Sequence, residues 1–124
     1  MSCEQSSGME NFRRLESFVA KNLQNILKRE MDNKNSIYLY NVGDMWVALE
    51  YSAYQLELMT NELDGNMVFR FYDRPMPVVL RVISDVNVRS LCKNNKNQEF
   101  IQIPAPTLNK ESFNDWYREL VIDL

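Results

Sequence analysis

Ser36-Ile-Tyr-Leu-Tyr-Asn-Val-Gly-Asp-Met-Trp-Val-Ala-Leu-Glu-Tyr51 is the stretch whose reading decides the fold. Its two arms, residues 36–41 and 45–51, are rich in β-branched and aromatic side chains. Between them Val42-Gly43-Asp44 offers a glycine able to take the positive φ of a tight reversal. The pattern predicts a β-hairpin. In its second arm Val47, Leu49 and Tyr51 fall on one face and Trp46, Ala48 and Glu50 on the other, so both faces are expected to be at least partly covered.

Upstream of the hairpin, Phe12, Leu15, Val19, Leu23, Ile26, Leu27 and Met31 recur at three- and four-residue spacing, while Arg13, Arg14, Glu16, Lys21, Lys28 and Arg29 lie mostly outside that stripe. This predicts an amphipathic helix that ends in the polar run Asp32-Asn-Lys-Asn-Ser36. Residues 1–8 are small and polar and read as a disordered tail, leaving residues 9–124 as a single domain.

Downstream, Ser52 with Gln55 three places on suggests the capped start of a short helix carrying Ala53, Leu56 and Met59, while alternation at Tyr54, Leu56 and Leu58 is also compatible with a strand. Met67–Tyr72, Val78–Ile83 and Phe100–Ile103 read as strands, separated by the Asp64-Gly65 loop, the proline-bearing segment 73–77 and the run Asn94-Asn-Lys-Asn97. Periodicity does not decide between helix and strand for residues 85–92. A last helix, with Phe113, Trp116, Tyr117, Leu120 and Val121 at helical spacing, begins near Asn109. The expected order is α-β-β-α-β-β-β-α, an α+β fold with an antiparallel or mixed sheet of about five strands covered by the terminal helices.

Composition excludes several chemistries. The chain has no histidine, which removes the usual general base, zinc ligand and pH switch together. Its three glycines, Gly8, Gly43 and Gly65, form no phosphate-binding loop. Cys3 and Cys92 have no metal-ligand spacing and no partner pattern for a structural disulfide. Neither a catalytic residue, nor a metal site, nor a cofactor is expected. Asp44, Glu50 and Glu57 are the candidates for an acid/base pair, but solvation is the ordinary fate of such carboxylates. No apolar run approaches the length of a membrane span and no signal peptide opens the chain, so the expected location is the cytoplasm.

Charge is unevenly distributed. Residues 44–64 carry five carboxylates and no Lys or Arg, whereas residues 70–96 carry Arg70, Arg74, Arg81, Arg89, Lys93 and Lys96 against Asp73 and Asp85. If the two segments neighbour one another, the charges largely compensate. Otherwise Arg70, Arg74, Arg81 and Arg89, interleaved with Phe69, Phe71 and Tyr72, make a stacking surface for single-stranded nucleic acid.

Ile37 to Leu56 resembles the start of the mismatch-binding domain of MutS-type DNA repair proteins, where an apolar strand runs into Arg-Val-Gly-Asp-Phe-Tyr-Glu, a second strand and an Asp-Ala-led helix. The shared elements are the apolar strand, Val42-Gly43-Asp44, the aromatic Trp46 and Ala53 near the head of the next helix. Met45 and Val47 stand where that family has its mismatch-reading Phe and Glu. The resemblance implies association with nucleic acid, with Met45 as an apolar wedge and Trp46 beside it. Taken together, the residues predict a non-enzymatic domain that binds another protein or its own copy, with nucleic-acid association as the alternative.

Overall fold

The computed structural model describes the backbone of residues 2–43, 45–60, 66–70, 77–84, 88 and 100–122, with side chains described from residue 12 to residue 121. Among the described residues three helices and five strands follow one another as α1 (Ser2–Met31), β1 (Ser36–Val42), β2 (Met45–Leu49), α2 (Tyr51–Thr60), β3 (Asn66–Phe69), β4 (Val78–Ser84), β5 (Phe100–Pro104) and α3 (Lys110–Ile122). The fold is α+β, in the order the sequence predicts.

All strand pairs are antiparallel, and the spatial order is β3-β4-β2-β1-β5. The hairpin sets the register: Val42 faces Met45 and Tyr40 faces Val47 across the turn, where Gly43 has φ 66°. β2 lies at the centre, flanked by β1 and β4, and this explains why its residues Trp46 to Leu49 are all buried.

The sheet separates two cores. On one side Tyr40, Val42, Val47, Leu49, Val78 and Leu80 pack against Leu15, Val19, Leu23 and Ile26 of α1. On the other, Ile37, Leu39, Trp46, Ala48, Ile101 and Ile103 pack with Ala53 and Leu56 of α2, with Val88, and with Trp116 of α3. Leu39, Leu49, Leu56 and Leu80 are fully buried, and trimming any of them to alanine costs about 2–5 kcal/mol.

Several expectations are corrected. The backbone is helical from Ser2, ahead of the expected start at Met9, because Gly8 alone does not interrupt a run of otherwise compatible residues. The apolar stripe of α1 is shorter than its periodicity suggests. Phe12 is 46% exposed, and Met31 is 80% exposed, while Glu30 is buried in its place. The strand expected to reach Tyr51 stops at Leu49. Glu50 enters the left-handed region (φ 53°), donates its N–H to the Val79 carbonyl at 2.8 Å and accepts the Tyr54 N–H at 3.1 Å, which starts α2. Ser52 therefore sits inside the first turn and is not the cap. Asn109 does cap α3, its Oδ1 accepting the Ser112 N–H at 3.0 Å. Residues 85–92, apart from buried Val88, and both cysteine side chains lie outside the described residues.

Candidate anion-binding groove

α1 carries two stripes. The apolar one faces the sheet, and along its flank Arg14, Phe18, Lys21, Asn25 and Arg29 follow one another at three- and four-residue spacing. Where α1 passes over β1 and the edge strand β5, this flank and the sheet enclose a half-open groove of about 790 Å³. Its described lining includes Arg13, Arg14, Lys21 and Arg29, the neutral polar side chains Ser17, Asn22, Asn25 and Asn41, and the rings of Phe18, Tyr40 and Phe100. No carboxylate is among the described residues of the lining. A chain of net charge −3 thus gathers four cations around one concavity.

Arg29 is the most constrained of them. Its guanidinium lies 4.2 Å from the ring centroid of Phe100 and 5.7 Å from those of Tyr38 and Tyr40, and Nη1 donates to the Tyr40 hydroxyl at 2.9 Å. The strand pairing makes this possible, because Tyr40 of β1 sits directly across from Phe100 of β5. Stacking covers the face of the guanidinium and not its edge, whose N–H fork is the part that meets a carboxylate or phosphate in plane. Burial pushes the Tyr40 phenol up to about 12, against the pull of the adjacent Arg29, so the hydroxyl stays protonated. Arg14 reaches toward the hairpin. A Cβ at Gly43 would lie 3.2 Å from Arg14 Nη1, so the absence of a side chain there leaves the Arg14 head room at the mouth.

Two further polar clusters lie within the fold, the first buried and the second part-buried. Next to the groove, Glu30 accepts the Ser52 N–H at 2.9 Å, the Ser52 hydroxyl at 2.6 Å and an Asn33 amide N–H at 3.3 Å. Ser52 Oγ in turn accepts the Tyr38 N–H at 2.9 Å. A residue of α1 thereby completes the first turn of α2. Burial raises the Glu30 carboxyl from 4.5 to about 7 despite these donors. On the opposite side of the sheet Glu57 accepts from Asn66 at 2.9 Å and from Trp116 Nε1, and lies 3.7 Å from Arg81, whose Nη1 also donates to Asn66 at 3.0 Å.

The residues singled out from sequence fare unevenly. Trp46 is 4% exposed in the α2 core and Met45 is half-buried on the α1 face, so these neighbours point to opposite sides of β2 and do not form one surface. Arg70 is exposed just beyond β3, at the sheet edge farthest from the groove. Tyr72, Arg74 and Arg89, and the acid/base candidate Asp44, lie outside the described residues. Arg81 and Glu57 join the basic and acidic segments in one part-buried contact. The groove cations went unmarked because they sit beside an apolar stripe. Their own recurrence on one helix face was the available signal.

Among the described residues no three His, Cys, Asp or Glu side chains gather as a metal site, and no helix is long and apolar enough to cross a membrane. What fold and groove define is a three-layer α+β unit with a cationic cleft at one sheet edge. No protein-family model, curated protein or solved structure matches the chain.

Proposed function

We propose that this chain is a non-enzymatic binding domain that captures an acidic segment of a protein partner in the groove between α1 and the β1–β5 edge. The observation that carries this is the gathering of Arg13, Arg14, Lys21 and Arg29 around a lining whose described residues include no carboxylate. Guanidinium forks bind carboxylates in two-point fashion. The amides of Asn22, Asn25 and Asn41 offer both donors and acceptors to a peptide backbone.

Nucleic acid is the second reading. It is supported by the same cations and by the strand-turn-strand-helix order of the MutS-like stretch 37–56. Three features rank it below the first. Phe100 is already covered by Arg29, Tyr40 is only 4% exposed, and Met45 and Trp46 are packed against the two cores, so these four residues supply neither an open stacking platform nor a protruding wedge.

Fluorescence anisotropy tests both readings. A labelled glutamate-rich peptide should bind at low salt, weaken as salt rises, and lose at least about tenfold in affinity in the Arg14→Glu/Lys21→Glu variant, whose altered positions are both exposed. Failure of the peptide to bind at low salt sinks the first reading. Tighter binding of a single-stranded oligonucleotide, abolished by the same substitutions, would put the second in its place.

A further inference from the structure

α3 carries a feature that mirrors the groove. Glu111, Asp115 and Glu119 are exposed and recur at four-residue spacing, forming an acidic stripe about 12 Å long on one side of the helix. The other side of α3 is fixed in place. Phe113 packs its ring edge-on against Tyr51 at 4.3 Å, Trp116 lies 5.3 Å from Tyr54 and donates to Glu57, and Tyr117 donates its hydroxyl to the Pro77 carbonyl at 2.5 Å. These contacts determine which side of α3 faces outward.

The stripe cannot reach the groove of its own molecule. Trp116 of α3 packs into the core on the α2 side of the sheet, whereas α1 lies on the other side. Arg14, Lys21 and Arg29 extend over about 22 Å of α1, long enough to run beside the whole acidic stripe. We infer that the groove receives α3 of a second copy of this chain, Glu111, Asp115 and Glu119 of one molecule meeting Arg14, Lys21 and Arg29 of the next. This rests on the reading of the groove as a site for acidic segments and names its occupant.

Because two different surfaces meet, each contact uses one groove and one α3. Each added molecule leaves one groove and one α3 open, so association grows with concentration unless a ring closes. Being formed by exposed charges, it weakens as salt screens them.

Sedimentation velocity over a concentration series, at low and at high salt, tests the inference. The native chain should increase in mass with concentration at low salt and revert to monomer at high salt. Arg14→Glu/Lys21→Glu and Asp115→Lys/Glu119→Lys should each associate at least about tenfold more weakly while keeping native far-UV circular dichroism, since all four positions are exposed. Mixing the two variants should restore association, because the native groove of one meets the native α3 of the other and the reversed groove meets the reversed α3 with the charges exchanged.

A native chain that stays monomeric at low salt overturns the inference, as does association that survives both reversals or a mixture that fails to pair. If the monomeric chain still binds the glutamate-rich peptide through Arg14 and Lys21, only the occupant is wrong. If it does not, the groove reading falls as well.

Discussion

Glu30 and Glu57 are both carboxylates drawn into the fold, and their surroundings accommodate them differently. Glu57 has a guanidinium at 3.7 Å and two neutral donors. Glu30, 2% exposed, is held by the Asn33 amide, the Ser52 hydroxyl and the Ser52 N–H in the first turn of α2, and its carboxyl rises to about 7. Neutral donors and a helix start keep a buried carboxylate in place without restoring its ordinary acidity, because what they supply falls short of the hydration lost. A pairing cation instead ties the stability of one residue to the presence of another.

The largest expected effect breaks the pair. Arg81→Met leaves Glu57 without its cation beside a nearly closed core and should cost about 3–5 kcal/mol in urea unfolding. Adding Glu57→Gln, which keeps an acceptor for Trp116 and Asn66, should recover part of that loss. Retention of native stability by Arg81→Met alone would remove the distinction between the two sites.

Next comes pH. The folded state holds the Glu30 proton more tightly than the unfolded chain, so between 4.5 and about 7 folding takes up a proton and stability falls as pH rises. The contribution is fully present below 4.5 and is lost as pH climbs through about 7, a change of about 3 kcal/mol. Urea midpoints measured across that window should decline in the native chain, and Glu30→Gln should remove this component of the slope. A slope unchanged by the substitution would assign the effect elsewhere.

The smallest effect sharpens the Glu57 side. Trp116→Phe removes the Nε1–H donor while keeping most of the ring that packs against Tyr54, and should cost about 1 kcal/mol in the same assay. A loss as large as that of Arg81→Met would mean that the indole, rather than the guanidinium, anchors Glu57.

The hairpin and the element order were legible because they rest on local signals: alternation in β1 and β2, a glycine between them, and helical spacing around Leu15 and Phe113. Glu30 illustrates what local signals miss. Four residues after Ile26, it lies on the apolar stripe, but a carboxylate there reads as the end of the stripe until Ser52 is brought opposite it by folding. The flank Arg14, Lys21 and Arg29 was visible as a polar face. Its enclosure depends on β1 pairing with β5, which sets Tyr40 across from Phe100, and no local pattern encodes that pairing. Trp46, placed beside the Met45 wedge by the mismatch-reading resemblance, is buried because β4 covers the free edge of the hairpin and α2 folds back over its face.

The reach of Glu30 to Ser52 also bears on the order of folding. α2 is ten residues long, with no acidic residue in its first turn and no basic residue in its last, and a helix of that length is marginal by itself. Its first turn is completed by a side chain 22 positions earlier in the chain. α2 therefore consolidates only after the C-terminal end of α1 has docked, and its amides should exchange with solvent at the rate at which that end of α1 lets go.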